Sequence, residues 1–217
     1  MPEIDRSDWP QAQALIRTGA DFHARGWSLA TSSNYSVVLS HKPLRILITA
    51  SGKEKQNLTG RDFVVVDEDG RAVESGDNKP SAETLLHVVA AQHGGGAILH
   101  THSVWATVLS DVYFSSGRVT LNGYEMQKAF NGITTHEQNV PIEIFENTQD
   151  IAALAEQVGT RFRDTERPLR HAFLIRRHGL YTWGKDLAEA RRHIEALEFL
   201  FEVCGRTLQL QGLPLRT

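Results

Sequence analysis

The chain has a single cysteine, Cys204, among 217 residues. An intrachain disulfide is therefore impossible, and the fold must stand on its core alone. Cys204 lies in the apolar run Phe199-Leu200-Phe201-Glu202-Val203-Cys204 and reads as a buried helix residue rather than a nucleophile. No apolar stretch approaches the ~20 residues that span a bilayer. Met1-Pro2-Glu3-Ile4-Asp5 has neither the basic start nor the apolar segment of a signal peptide. The expectation is a cytoplasmic protein with no membrane partner. Charge is not segregated: 23 Lys and Arg against 26 Asp and Glu give a net −3, without a polybasic patch to suggest nucleic acid. There is no Pro/Gly/Ser-rich linker, internal repeat or low-complexity tract, so residues 1–217 are read as one domain. No His-Glu-x-x-His segment is present, which ranks an unrelated zinc hydrolase last.

Histidine, by contrast, is plentiful, with ten residues. The most informative stretch is Gly94-Gly95-Gly96-Ala97-Ile98-Leu99-His100-Thr101-His102-Ser103, a glycine turn followed by a short apolar strand ending in two histidines. Side chains at i and i+2 of a strand share one face, so His100 and His102 present two imidazoles to one point. A catalytic zinc site needs three protein ligands and an open position. His178, at the end of the apolar strand Phe173-Leu174-Ile175 and before Gly179, is the best third candidate. Taken alone, it reads as a structural or surface residue.

The remaining pattern interleaves helices and strands. A first helix follows Asp8 and ends at Gly26. Strands are expected over 35–39, 45–49, 63–67, 97–102, 142–145 and 172–176, with 179–183 pairing with the last. His41-Lys42-Pro43 joins the first two as a hairpin. Helices are expected over 82–92, 104–109, 124–129, 151–162 and 186–208. Hairpin signals beside long connections point to a three-layer α/β/α sandwich with a central, largely antiparallel sheet.

Four further features are candidates for chemistry, each with an ordinary alternative. Ser51-Gly52-Lys53 is a turn or an anion site, since glycine lets a ligand approach the backbone. Ser81 in Pro80-Ser81-Ala82 is an N-cap or a phosphate contact at a helix N-terminus. Glu83 is a first-turn carboxylate favoured by the helix dipole or a general acid/base. Glu125 is a solvated residue pairing with Lys128 at i+3, or an acid/base.

Taken together the segments Ser33-Asn34-Tyr35-Ser36, Ser51-Gly52-Lys53, Pro80-Ser81-Ala82-Glu83, His100-Thr101-His102-Ser103 and Arg177-His178-Gly179-Leu180 occur in an order that resembles the class II aldolase/epimerase family. The likeness runs from about Leu15 to Leu208. It implies one Zn2+ per subunit on His100, His102 and His178. It implies a phosphate pocket of Asn34, Ser51, Gly52, Ser81 and Ala82, a sugar-phosphate substrate and a cyclic homotetramer with the active site near a subunit interface. Tyr124-Glu125-Met126-Gln127-Lys128, Phe145-Glu146-Asn147-Thr148 and the segment from Arg176 to Gly184 lean toward the family's dehydratases. In those the acid/base maps to Glu125; in the sugar-phosphate aldolases it maps to Glu83. Some animal dehydratases carry a cysteine next to the serine of this segment, where this chain has Ala82, so no cysteine-based mechanism is available. Ser33 stands where many aldolases have glycine. A sugar-phosphate aldolase, a ribulose-phosphate 4-epimerase and a non-catalytic scaffold like the adducin head are the competing readings. Trp105, Phe114 and Phe130 are either pocket or core.

Overall fold

A computed structural model describes residues 5–73 and 78–211. Eight strands form one sheet: β1 (Asn34–His41), β2 (Leu44–Thr49), β3 (Phe63–Val66), β4 (Ala97–Thr101), β5 (Arg118–Leu121), β6 (Val140–Phe145), β7 (Ala172–Ile175) and β8 (Gly179–Gly184). Their order across the sheet is β3-β2-β1-β4-β8-β7-β6-β5, and among the described residues only β6 and β7 pair in parallel. Five helices cover the faces: α1 (Trp9–Ala24), α2 (Thr84–Gln92), α3 (Val104–Val112), α4 (Ile151–Phe162) and α5 (Leu187–Gln211).

Strand alternation builds the three expected layers. Tyr35, Val37, Ala97, Leu99 and Leu180 pack with Leu15 and Phe22 of α1, Leu109 of α3 and Leu197 and Phe201 of α5. Ile46, Ile48, Ile98, Phe173 and Tyr181 point the other way, onto Leu86 of α2 and Leu154 and Val158 of α4. Within β4, His100 therefore shares the α2 face with Ile98, and Thr101 faces α5, where its hydroxyl donates to Glu198 (2.9 Å). Phe130 is core, and Trp105 and Phe114 pack against the same cluster. Cys204 is half-buried on α5. No helix among the described residues is long and apolar enough to cross a membrane.

Two expectations need correction. Strand β5 was not anticipated; its exposed-buried-exposed-buried pattern spans only four residues, too few for a period to stand out. The helix expected from 82 starts at Thr84 with Glu83 in the cap position, so Ser81 lies in the preceding turn and does not cap the helix.

Candidate active site

The two central strands, β4 and β8, position the histidines: His100 on β4, His102 just after it and His178 just before β8. His100 pairs in register with Tyr181 of β8, and Asn34 of β1 pairs with His100 on its other side. His102 lies just past β4, fixed by its backbone N–H donating to Trp27 O (2.8 Å). His178 sits in the tight turn between β7 and β8. Its N–H donates to Ile175 O (3.1 Å), and Arg177 adopts a left-handed φ of 52°. Gly179 must be glycine: an added Cβ would meet Thr101 O at 2.2 Å and His100 Cε1 at 3.0 Å.

These constraints aim three ring nitrogens at one point. His102 Nε2 lies 2.7 Å and His178 Nε2 3.3 Å from His100 Nε2. His100 Nδ1–H donates to Leu180 O (3.0 Å), which fixes the tautomer and leaves the Nε2 lone pair facing the other rings. Such lone pairs repel unless a proton or a cation lies between them. Burial, then the neighbouring imidazoles, hold His100 well below the ordinary histidine range, and burial first pulls His102 down to about 4. Both rings are neutral near pH 7, so a cation is the group that fits. All three ligand atoms lie within 4.8 Å of one another, compact enough for one ion.

Glu83 completes this cluster. Its Oε1 is 3.3 Å from His178 Nε2 and its Oε2 is 3.5 Å from His100 Nε2. Asn34 Nδ2 donates to Glu83 Oε2 (2.8 Å) and to Ser81 Oγ (3.2 Å). The turn containing Ser81 is tied to Ser51 and Gly52 by the bridge between Ala50 and Pro80 and by Ser51 N–H donating to Lys79 O (2.9 Å). Gly52 has a φ of 72°, a conformation glycine adopts without strain. Asn34 and Ser81 thus meet beside Glu83, and the Ser51-Gly52 turn is joined to the segment that carries Ser81 and Ala82.

Glu125 does not join them within this chain. It sits on a 3-10 turn, Glu125–Ala129, with its side chain 70 % exposed. It contacts Lys128 Nζ (2.6 Å) and His136 Nδ1 (3.4 Å). The Lys128 contact is the largest influence holding its carboxyl below the usual range.

Four polar residues near the trio were not singled out from the sequence. Lys55 is 1 % exposed; its Nζ donates to Lys53 O (2.5 Å), and burial pulls its pKa down to about 8. His87 is fully buried against Asn34. Glu198 lies beneath β4, where burial pushes its carboxyl up to about 7. Tyr181 stacks on His100 with ring centroids 4.0 Å apart. His87 carried a legible signal, since it stands one helical turn after Glu83. Glu198 is one of four glutamates on α5, with Glu189, Glu195 and Glu202, and its sequence neighbours do not set it apart. Nothing local marks Lys55.

Comparison with known proteins agrees with this architecture. Residues 13–204 match the family described as Class II Aldolase and Adducin N-terminal domain. A methylthioribulose-1-phosphate dehydratase of Marinobacter nauticus is 49 % identical over 202 residues, covering 92 % of this chain and 95 % of the relative. One of Pseudomonas aeruginosa is 48 % identical over 200 residues, covering 91 % and 95 %. Among solved structures, an L-fuculose-1-phosphate aldolase of Thermus thermophilus superposes with a TM-score of 0.73 at 25 % identity, covering 94 % of this chain and 99 % of the other. With the matched span, the sheet and the histidine trio in agreement, the chain belongs to the class II aldolase family.

Proposed function

We propose that this protein dehydrates 5-methylthioribulose 1-phosphate to 5-methylthio-2,3-dioxopentyl phosphate and water, a step of L-methionine salvage. The observation that carries this reading is the 48–49 % identity to methylthioribulose-1-phosphate dehydratases over more than nine-tenths of the chain. The intact trio supports it: His100, His102 and His178 offer three imidazole nitrogens, the donor set that suits Zn2+. When bound, that ion supplies Lewis-acid stabilisation of the negative charge that develops on the substrate's oxygens.

The chain's own residues do the rest. Ser81, Ser51 and the backbone of Gly52 and Ala82, with Asn34 behind them, hold the phosphate and fix the sugar carbons against the trio. A carboxylate removes the C3 proton and returns a proton to the departing C4 hydroxyl, so that water leaves. The enol left behind tautomerises to the diketone. Glu125 is assigned this proton transfer, with Glu83 secondary. Because Glu125 lies on an exposed turn, it serves a trio only in an assembly, and the reading includes a homotetramer in which a neighbouring subunit brings it to the site. The deciding experiment is turnover of methylthioribulose 1-phosphate by pure, metal-analysed protein. Release of the 2,3-diketone phosphate supports the proposal. Carbon–carbon cleavage or epimerisation of a pentose or deoxyhexose phosphate instead would replace it with an aldolase or 4-epimerase reading.

A further inference from the structure

From the hydrogen-bond geometry around Asn34, we infer that His87 is a positioning residue that sets the orientation of the Asn34 amide, and through it aims Glu83 and primes Ser81 to donate to substrate. The argument starts at the carboxylate. Glu83 Oε2 accepts from the Asn34 side chain at 2.8 Å, and a carboxylate has only acceptors to offer. The amide nitrogen of Asn34 must therefore face Glu83, because the flipped amide would set a carbonyl against a carboxylate. That leaves Asn34 Oδ1 pointing at His87 Nε2, with which it is in hydrogen-bond contact. An amide oxygen only accepts, so His87 carries its proton on Nε2. Its Nδ1 is then a bare acceptor, and it lies 2.7 Å from Ser36 Oγ, whose hydroxyl donates to it.

Every bond in the chain thus runs one way: Ser36 hydroxyl to His87, His87 to Asn34, Asn34 to Glu83. The second Asn34 N–H goes to Ser81 Oγ at 3.2 Å, and Glu83 N–H approaches the same oxygen at 3.3 Å. Ser81 Oγ is already accepting, so its own proton is offered outward, toward an anionic group. The helix supplies the spacing. Glu83 and His87 are four residues apart at the start of α2, and both reach the Asn34 side chain. His87 is 0 % exposed and packs edge-on to Tyr181, whose ring stacks on His100. Burial also pushes its pKa down to about 3, so the ring stays a neutral relay. A buried histidine of this kind has a job beyond filling space, since leucine would fill it without the desolvation cost.

The inference rests on the dehydratase reading only for its kinetic arm. In 15N-histidine NMR of the wild-type protein, with the resonance identified by its absence in His87→Gln, His87 should be the pure Nε2–H tautomer with no titration between pH 5 and 8. An Nδ1–H tautomer, or a mixture, overturns the inference whatever the enzyme does. In kinetics, His87→Leu and Asn34→Ala should each lower kcat by roughly 10–100-fold, as loss of an orienting partner does. The double variant should be no slower than Asn34→Ala alone, because both act through the same amide. His87→Gln, which keeps an N–H donor, should recover part of the loss while melting temperature and metal content stay level. Multiplicative losses in the double variant would sink it. Wild-type protein inert toward methylthioribulose 1-phosphate would sink the dehydratase reading instead, and the NMR result would still decide His87.

Discussion

Glu83 and Glu125 are both early residues of helical turns, yet their surroundings are opposite. Glu83 is 13 % exposed in its side chain, touches two imidazoles of the trio and is held by Asn34. Glu125 is 70 % exposed and satisfied by its own neighbours Lys128 and His136. The contrast extends to the regions around them. The trio side contains Lys55, His87 and His100 buried away from water, and Ser33 and Arg177 there have left-handed backbones. The turn at Glu125 is closed by local bonds, with Gln127 accepting from Tyr124 N–H at 3.0 Å. Groups that are costly to bury collect where chemistry is done. A surface carboxylate held in a ready geometry needs something brought to it.

The largest effect expected from this contrast comes from the ligands. His100→Ala should abolish metal binding and turnover, whereas His136→Ala, beside Glu125, should leave metal content unchanged by metal analysis. Retention of zinc by His100→Ala would remove the trio from the metal. Next, Glu125→Gln should lower kcat by about 10²–10⁴-fold, the usual worth of general acid/base catalysis, with zinc and melting temperature level. If a neighbouring subunit delivers Glu125, mixed tetramers of the Glu125→Gln and His100→Ala chains should regain activity that neither shows alone. Mixing without recovery contradicts delivery across an interface. Should Glu83→Gln abolish turnover while Glu125→Gln is nearly harmless, the chain follows the aldolase pattern.

Stability offers smaller tests of the same contrast. Burial raises the folded Glu198 carboxyl from 4.5 to about 7, so the folded state holds that proton more tightly than the unfolded one. Its contribution is fully present below about pH 4.5 and is lost as pH rises to about 7. Glu198→Gln keeps an acceptor for Thr101 and carries no charge. It should be more stable than wild type at pH 8, on the order of 1–3 kcal/mol, and about equal to it at pH 4.5. Equal melting temperatures at pH 8 would argue against a buried charge there. The smallest effect belongs to Ser33, whose φ is 71°. A left-handed side chain costs about 1–2 kcal/mol, and glycine returns about 0.5–1 kcal/mol of that through unfolded-chain entropy. Ser33→Gly should therefore stabilise by up to about 1 kcal/mol in denaturant titration; a loss of stability would mean its 3.4 Å bond to Trp27 O matters more than its backbone.

Much of the architecture was legible because its periods are long. The helix over 151–162 and the hairpin through Lys42-Pro43 are where the pattern places them. The trio was legible in part from His100 and His102 on one strand face, and His178 followed from its strand end and the family likeness. What was not legible depends on depth. Glu125 and Glu83 read alike, because nothing in a run of helical residues says which turn faces the sheet. Lys55 follows a loop and looks like any solvated lysine, yet it is buried between backbone carbonyls. Strand β5 is too short to show a period, and it joins the sheet only as an edge beside β6.

The sheet order also has a consequence in time. His100 and His178 lie 78 positions apart in the chain and meet only when β4 pairs with β8. The hairpin of β1 and β2 closes across a turn of a few residues and can form early. The β4–β8 pairing closes a long loop and must wait. A chain emerging from the ribosome therefore shows two histidines long before the third is made, and two imidazoles are a weak grip on a divalent ion. A metal on this trio would enter a nearly finished protein and would not guide its folding. Such an ion would act as a lock on the completed sheet, stabilising by mass action the one state in which all three nitrogens converge.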